Sequence, residues 1–378
     1  MFVYPLTVLL SLLLAGSLVY CVLALRAVAV YKRQRYQPSR ELPFISVMRP
    51  LAGAEEGLRE NLASFFEQDY PEFELIFGVA SPDDPAVAIA RQVMAEHPRT
   101  SSRLLIAGES PTPNRKVQSL RVMSEAARYS IFLMADSDVR AGADLLRVVG
   151  SEMRSPGVAL VTCPYRASGG PSAWSAMEAI GLNTEFLAQI LVARMLGGMD
   201  FALGPTLAIR REALDAIGGF DELRQYLAED FVMGNRTAAK GMKVLLSSFV
   251  VEHRLGSQGF VSNFSHRLRW ARSTRRSRPW GYAGQLFTNS LPLALLLVAV
   301  RPVAWPALVA TVAIRAAVAV ATSQWVLRDP LTRALWWLVP IQDVASFIVW
   351  IGGFFGSHIT WRGKRLKVLS DGRFESGV

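Results

Sequence analysis

Apolar residues concentrate in two regions of this 378-residue chain, residues 4–30 and residues 284–357, and mixed segments lie between them. The first region holds an apolar run of about 20 residues, enough to cross a hydrocarbon core of about 30 Å. A cleaved signal peptide usually begins with positive charge and has a shorter apolar core, whereas no basic residue precedes Arg26 here. The pattern therefore predicts an uncleaved anchor, a globular domain and a second membrane region.

Between the two apolar regions, short apolar runs alternate with segments of helical spacing. Strands are predicted at Phe44–Val47, Phe73–Ala80, Ser102–Ala107, Ser130–Ala135 and Val158–Cys163, and helices at Gly57–Phe66, Pro85–Ala95, Lys116–Ala127 and Asp144–Met153. This order predicts an α/β domain with a mostly parallel sheet covered by helices on both faces. Ligands bind such sheets beyond the carboxyl ends of the strands, so polar residues at those ends are candidates for function.

A long amphipathic stretch, Ala173–Leu196, follows the last predicted strand. Two interpretations stay open: its apolar side packs into the core, or the helix lies on the membrane surface where a lipid enters.

Three apolar segments, 287–300, 302–327 and 335–357, form the second membrane region. Basic residues after the anchor place the globular domain in the cytoplasm. These residues are Arg26, Lys32, Arg33 and Arg35. Three further crossings would leave a basic tail outside, against the same rule, so one segment is predicted to be re-entrant or interfacial. The basic residues of that tail are Arg362, Lys364, Arg365 and Lys367.

The predicted domains are an anchor at 1–31, a cytoplasmic domain at 32–283, membrane helices at 284–359 and a basic cytoplasmic tail at 360–378. The net charge is +10, and six arginines crowd into Arg267–Arg278, next to the second membrane region. Such a cluster fits anionic lipid headgroups or a pyrophosphate better than a nucleic-acid duplex, so nucleic acid is not an expected partner. The two cysteines offer no disulfide framework, and the four scattered histidines offer no zinc spacing.

Two carboxylates, Asp136 and Asp138, follow the fourth predicted strand. At this spacing they can share a hard divalent cation, Mg²⁺ or Mn²⁺, whose shell substrate phosphates commonly complete. A polar loop with an Asx-turn is the alternative. Asp84 follows the second strand at the same edge, where it can accept hydrogen bonds from a nucleobase or ribose, or cap the next helix.

Two further motifs can carry chemistry. Glu229-Asp230 offers a general base for an acceptor hydroxyl, although most such pairs are exposed helix starts. In the segment His266–Trp270, the guanidinium group of Arg269 can bind phosphate oxygens and neutralise a departing diphosphate. Trp270 can stack on a sugar or anchor at the membrane interface.

The order and spacing of these features resemble those of the inverting GT-A glycosyltransferases, and the chain closely resembles the ceramide glucosyltransferase family. The matching segments are Phe65-Phe66-Glu67-Gln68-Asp69-Tyr70-Pro71, Asp84-Pro85, Asn114-Arg115-Lys116, Asp136-Ser137-Asp138, Gly204-Pro205-Thr206 through Gly218-Gly219-Phe220 to Glu229-Asp230, and His266–Trp270. His266 stands where the family's closing motif has Gln or Arg, which leaves the role of that position open.

The resemblance implies a GT-A domain with a Rossmann-like, mostly parallel sheet, a UDP-sugar donor, a divalent cation and a lipid acceptor in the bilayer. The implied donor-binding residues are Asp84, Lys116, Asp136 and Arg269. The implied acceptor-side residues are Glu229, His266 and Trp270. The implied metal ligands are Asp136 and Asp138, and Asp230 is the implied catalytic base.

Within the family, the chain resembles the bacterial branch that adds N-acetylglucosamine to bacteriohopanetetrol in hopanoid synthesis, which implies a multi-pass protein of the bacterial inner membrane. A ceramide glucosyltransferase is the alternative. A membrane polysaccharide synthase would need more transmembrane helices, and a non-enzymatic scaffold would leave the acidic residues at the strand ends unexplained. The oligomeric state has no signature in the sequence.

Overall fold

The computed structural model describes residues 3–34, 36, 38–39, 41–361, 364–369 and 371–376. Arg35 and Arg362, which entered the charge argument, lie outside these residues. The chain forms two compact units: a helical unit of Met1–Gln34, Arg166–Leu196 and Ser257–Val378, and an α/β unit of Arg35–Tyr165 and Gly197–Gly256. The domain boundaries drawn from the sequence stay a prediction.

The strands and helices are numbered in chain order. The strands are β1 (Ile45–Pro50), β2 (Phe73–Val79), β3 (Ser102–Ile106), β4 (Ile131–Ala135), β5 (Val139–Arg140), β6 (Val158–Thr162), β7 (Tyr165–Ser168), β8 (Thr206–Arg210), β9 (Lys243–Leu246), β10 (Val251–Arg254), β11 (His358–Trp361), β12 (Lys364–Val368) and β13 (Phe374–Ser376). The α-helices are α1 (Val3–Lys32), α2 (Leu58–Phe66), α3 (Ala86–Glu96), α4 (Arg115–Ala126), α5 (Leu145–Met153), α6 (Ala173–Gly181), α7 (Leu187–Gly197), α8 (Arg211–Ala216), α9 (Glu229–Ala239), α10 (Phe260–Ser277), α11 (Pro279–Gly284), α12 (Ser290–Val300), α13 (Trp305–Val320), α14 (Pro330–Ala334) and α15 (Val339–Gly353). Short π-helical or 3₁₀ segments lie at Leu182–Phe186, Asp221–Leu223, Gln285–Thr288, Pro302–Ala304, Ala321–Val326 and Trp336–Leu338.

The α/β unit is built on a seven-stranded sheet in the order β3-β2-β1-β4-β8-β6-β9. Its strands pair in parallel except β8, which runs antiparallel to both β4 and β6. Strand β4 is a continuous apolar run, as expected where helices cover both faces, and every one of its residues is buried. The predicted α/β class with a mostly parallel sheet is therefore confirmed, with element ends shifted by a few residues.

The reversed strand β8 brings a turn to the functional edge of the sheet. Ala135, the last residue of β4, pairs with Thr206, the first residue of β8. The backbone N–H of Asp136 donates to the carbonyl of Pro205 at 3.1 Å. The chain entering β8 and the chain leaving β4 therefore meet at one edge, although about 70 residues separate them.

In the helical unit, α1 packs against α12 through Leu10, Leu14, Leu293 and Leu297. Among the described residues, four helical segments are long and apolar enough to cross a membrane: Val3–Lys32, Ala173–Gly197, Pro302–Val326 and Trp336–Gly353. A fifth, Pro279–Thr288 with Ser290–Val300, is bent by 62°. That bend is the geometry of a broken span or a re-entrant loop, and it falls on the first of the three predicted C-terminal segments.

The amphipathic stretch after β7 is a helix with a π-helical turn at Leu182–Phe186. Met177, Leu187 and Leu191 are buried, which supports packing over a surface position for most of the stretch. Its length and hydropathy also meet the requirement for a membrane span, a possibility that neither interpretation of the sequence included.

A buried ion pair joins two of the apolar helices of the helical unit. Arg315 of α13 donates from Nε and Nη2 to the carboxylate of Asp343 of α15, at 2.9 and 2.8 Å. Nη2 also reaches Oγ1 of Thr184 at 3.2 Å. Charges inside an apolar bundle are stable only when paired in this way.

A three-stranded antiparallel sheet in the order β11-β12-β13 begins at His358 and extends into the basic tail predicted at 360–378. Arginines of α10 hold its start: Arg272 donates to the carbonyls of Phe355 and His358, at 3.0 and 2.7 Å. Arg275 donates to the carbonyls of Phe354 and Gly356. These guanidinium groups, expected at lipid headgroups, are thus engaged with the carbonyls that follow α15.

Candidate active site

Lys116 lies at the centre of an acidic cluster in the α/β unit. Its Nζ is 2.7 Å from Oδ1 of Asp136, at the end of β4, and 2.9 Å from Oε1 of Glu229, at the start of α9. Lys116 belongs to the first turn of α4. The structure therefore joins three residues predicted from the sequence, one each from β4, α4 and α9, at the carboxyl edge of the sheet.

Asn114 fixes the helix that carries Lys116. Its Oδ1 caps α4 by accepting from the N–H of Val117 at 3.2 Å, which satisfies a backbone donor that the helix leaves open. Its Nδ2 donates to the carbonyl of Tyr226 at 2.8 Å and to Oε2 of Glu229 at 3.3 Å. The Asn-x-Lys element thus joins α4 to the loop before α9.

A fully buried arginine of β1 fixes the turn Asp136–Asp138. Arg49, the fifth residue of β1, donates from Nη2 to the carbonyls of Asp136, Ser137 and Val139 at 2.8, 3.3 and 3.2 Å. Its guanidinium lies 4.0 Å from the ring centroid of Phe65. Asn61 adds a hydrogen bond to the carbonyl of Ser137 at 3.1 Å, and together these contacts fix the turn.

Asp138 presents an oxygen that suits a cation. Its Oδ2 is 3.1 Å from Nε2 of His253 on β10. Its Oδ1 is buried and has no hydrogen-bond partner among the described residues. Within that part of the chain no three His, Cys, Asp or Glu side chains cluster as a metal site. Two carboxylates completed by substrate phosphates are a common arrangement for Mg²⁺, so Asp136 and Asp138 fit the expected cation.

Charge and burial shift the pKa values of this cluster. Burial opposes the charge of Lys116, but Asp136 and Glu229 outweigh it and raise the pKa of Lys116 well above its usual value. Burial raises the pKa of Asp136, with Asp138 adding to the effect and Lys116 opposing it. For Asp138, burial acts upward, yet His253 and Lys116 bring its pKa below the usual value.

Asp230 faces the turn that enters β8. A Cβ placed on Gly204 would lie 2.8 Å from Oδ2 of Asp230, so a side chain at position 204 would force this carboxylate to move. Burial and the neighbouring charge of Glu229 raise the pKa of Asp230 to about 7, and Lys116 opposes the rise. A carboxylate with a pKa near neutral pH is suited to take a proton from an alcohol.

Asp84 has a local structural role. Its Oδ1 accepts from the N–H of Gly53 and from the N–H of Ala86 at the start of α3, both at 2.9 Å. Among the described residues it makes no hydrogen bond to the Lys116 cluster. Asp84 therefore caps α3, as one of the two interpretations predicted. Contact between its other carboxylate oxygen and a nucleotide stays a prediction.

His266, Arg269 and Trp270 lie on α10 of the helical unit. The ring centroids of His266 and Trp270 are 5.1 Å apart, as expected for residues four apart on one helix face. Nδ1 of His266 is 2.9 Å from Oε1 of Glu178 on α6. The acceptor-side and donor-binding roles predicted for these three residues stay predictions.

Sequence reasoning missed Arg49, Asn61, His253 and Glu178. The strand predicted at Phe44–Val47 stopped short of Arg49, and an arginine just after an apolar run gives no sign that it will be buried. His253 reaches Asp138 because β10 pairs with β5, with His253 opposite Val139. No local pattern reports that pairing.

Comparison with known proteins decides the family. The model of glycosyl transferase family 21 matches residues 9–374. This chain belongs to that family. The resemblance to the ceramide glucosyltransferase family is thereby confirmed at the family level, and the chain is a membrane protein with several apolar helices.

Two curated relatives from Caenorhabditis elegans illustrate the similarity. Ceramide glucosyltransferase 1 is 30% identical over 245 residues, which cover 64% of this chain and 52% of the relative. Ceramide glucosyltransferase 3 is 29% identical over 263 residues, which cover 67% and 56%. The chain thus spans about half the length of the curated relatives it matches.

Among solved structures, a mannosyltransferase from Pyrobaculum calidifontis, in complex with GDP-Man and Mn²⁺, has a similar fold. Its TM-score is 0.55 at 18% identity, and the match covers 92% of this chain and 99% of that one. The expected GT-A-like α/β fold, with apolar helices at both ends, is confirmed.

Proposed function

We propose that this protein is an inverting, UDP-sugar-dependent glycosyltransferase whose acceptor is a membrane lipid. The observation that carries the proposal is the meeting of Asp136, Lys116 and Glu229 at the carboxyl edge of the sheet, beside Asp230 and the Asp138 turn. Polysaccharide synthases and non-enzymatic scaffolds have no specific observation in their favour.

Asp230 is the proposed general base. As the acceptor hydroxyl attacks the anomeric carbon, its proton passes to the Asp230 carboxylate and the bond from that carbon to the diphosphate oxygen breaks. Attack from the face opposite the leaving group inverts the configuration, so an α-linked donor gives a β-glycoside. Asp230 lies in close approach to Gly204, where a Cβ would meet its Oδ2 at 2.8 Å.

The donor binds through its diphosphate. Lys116 supplies a fixed positive charge, and Asp136 and Asp138 are the residues that would hold Mg²⁺ or Mn²⁺. When bound, the cation neutralises charge on the diphosphate. The fold relative that was solved with GDP-Man and Mn²⁺ supports this assignment. Arg269 is proposed to bind the same diphosphate, and Asp84 the nucleoside.

The names of the curated relatives favour ceramide as the acceptor and glucose as the sugar, whereas the sequence had first suggested bacteriohopanetetrol and N-acetylglucosamine. We therefore place ceramide first and keep the hopanoid as the second candidate. The proposed location is a membrane with the α/β unit on its cytoplasmic side, which in a bacterium is the inner membrane.

Purified full-length protein in lipid nanodiscs tests the proposal. UDP-glucose and UDP-N-acetylglucosamine are each supplied with ceramide, with bacteriohopanetetrol or with neither, and UDP release and glycolipid are both measured. We expect UDP release to depend on one lipid, and NMR of the product to show a β-linkage. No lipid-dependent release with any of the four pairs, or an α-linked product, would contradict the proposal.

A further inference from the structure

Glu178 is a buried carboxylate that none of the sequence motifs includes. It lies on α6 of the helical unit, and 4% of its side chain is exposed. Two residues of α10 engage its two oxygens. Nδ2 of Asn263 donates to Oε2 at 2.5 Å, and Nδ1 of His266 lies 2.9 Å from Oε1. A carboxylate this deeply buried needs such partners.

These contacts fix the proton arrangement of the imidazole. An ionised carboxylate only accepts hydrogen bonds, so Nδ1 of His266 carries the hydrogen in this contact. In the neutral ring Nε2 then has a free lone pair. Nε2 makes no hydrogen bond to any described residue, and 25% of the His266 side chain is exposed. An accessible hydrogen-bond acceptor is therefore held in one orientation.

Exposed aromatic rings lie on the same helix as His266, and one of them lies beside it. The ring of Trp270 lies 5.1 Å from the His266 ring and is 36% exposed. Phe260, on the same helix, is 54% exposed and packs 4.8 Å from Trp174 of α6. An acceptor nitrogen beside the exposed ring of Trp270 suits a molecule with a hydroxyl group next to hydrocarbon.

We propose that Glu178 is a positioning residue that orients His266 so that its Nε2 accepts a hydrogen bond from a hydroxyl group of the lipid acceptor, while Trp270 contacts the adjoining hydrocarbon. The proposal rests on the proposed function and assigns one part of it. A carboxylate that holds an imidazole in one tautomer is a common way to prepare it for a ligand. It also gives the His266 position, where the family has Gln or Arg, a role of its own.

The test measures two Michaelis constants in Glu178→Gln, in nanodiscs with a varied fraction of acceptor lipid. We expect the KM for the lipid to rise about 3–10-fold, the scale of one hydrogen bond. The KM for the UDP-sugar stays within about twofold, because the change does not remove a donor contact. A contact that only locks α6 to α10 would alter both constants, or only the melting temperature.

A double-mutant cycle and a control variant test whether Glu178 acts on the lipid KM through His266. If Glu178 acts through His266, then Glu178→Gln added to His266→Ala raises the lipid KM little further, and the double-mutant cycle shows coupling. Glu152→Gln is the control, since Glu152 is equally buried, at 4%, and its carboxylate accepts hydrogen bonds from Ser248 in the α/β unit. It is expected to leave the lipid KM unchanged.

Equilibrium binding of the lipid without donor gives a readout that needs no turnover. Weaker lipid binding by Glu178→Gln supports the proposal, and unchanged binding overturns it. Equal rises in both KM values, or purely additive effects in the cycle, also overturn it. A wild type that binds lipid but transfers no sugar refutes the proposed function and leaves this site standing. If Glu178→Gln does not fold, Asn263→Ala takes its place, because it keeps the Glu178 carboxylate and removes one of its hydrogen-bond donors. This variant must then raise the KM for the lipid more than the KM for the UDP-sugar.

Discussion

Replacing Asp230 with asparagine is expected to remove activity and to stabilise the protein. Asparagine keeps the size of the side chain but cannot take up the hydroxyl proton. General-base catalysis commonly contributes about 10²–10⁴-fold, so transfer is expected to fall by that factor while the UDP-sugar still binds. In the wild type, kcat/KM rises with pH and levels off above the pKa of about 7, whereas the residual rate of the variant lacks this step.

The gain in stability follows from the raised pKa. The pKa of Asp230 moves from 3.8 to about 7 in the folded protein, so the folded state holds a proton that the unfolded state releases. Stability from this group is therefore complete below pH 3.8 and is lost as the pH rises toward 7. At about 1.4 kcal/mol per pH unit, reduced for solvent screening, the loss is about 2–4 kcal/mol. Asparagine does not ionise and escapes this loss.

The measurement compares melting curves of the wild type and Asp230→Asn in the same detergent, at several pH values between about 4 and 8, the range that brackets the folded-state pKa. We expect the variant to melt above the wild type at the alkaline end, with the difference shrinking toward the acidic end. Glu212→Gln, the same carboxylate-to-amide change on α8, is measured beside it as the control for the substitution itself. A variant that melts at or below the wild type at the alkaline end, or that transfers sugar at a near-normal rate, would refute the reasoning.

Three other substitutions test the rest of the site. Asp138→Ala, like excess chelator, is expected to abolish transfer, and full activity under either condition would exclude the metal role. Arg269→Lys keeps the charge but loses the two-pronged guanidinium, so it should be impaired, and a rate equal to that of wild type would count against diphosphate binding. Arg49→Met removes the donor to three carbonyls in and beside the Asp136–Asp138 turn. We therefore expect the free energy of unfolding to fall by about 2–4 kcal/mol and calorimetry to show weaker UDP binding. Unchanged UDP affinity would show that the turn does not depend on Arg49.

The sequence predicted those parts of the site that lie beside strong local patterns. Asp136 and Asp138 became candidates because they lie in the turn after an apolar run predicted to be a buried strand. Lys116 and Asp230 depended on their resemblance to family motifs. His253 reaches Asp138 across 115 residues, and such a distant pairing is set by the register of β5 and β10 rather than by any local spacing.

One stretch of the chain has a sequence pattern that fits two different environments. The stretch Ala173–Leu196 has the same apolar spacing whether it packs in a soluble core or among membrane helices, so the sequence placed it in the 32–283 domain. In the structure, residues 166–196 belong to the helical unit. The C-terminal strands carried a usable signal, since Leu366 and Val368 alternate with basic residues, but the positive charge led to the prediction of a tail.

The packing of α1 sets a requirement on how the protein is made. Ser17 of α1 donates to the carbonyl of Phe287 at 2.6 Å, a residue 270 positions later, and the apolar partners of α1 on α12 come later still. At a synthesis rate of about 5–20 residues per second, the first helix waits roughly 15–50 s in the bilayer before its partner leaves the ribosome. During that interval its Ser17 hydroxyl must find another acceptor, within its own helix, from lipid or from the insertion machinery. Assembly of the helical unit is therefore one of the last steps in the biogenesis of this protein.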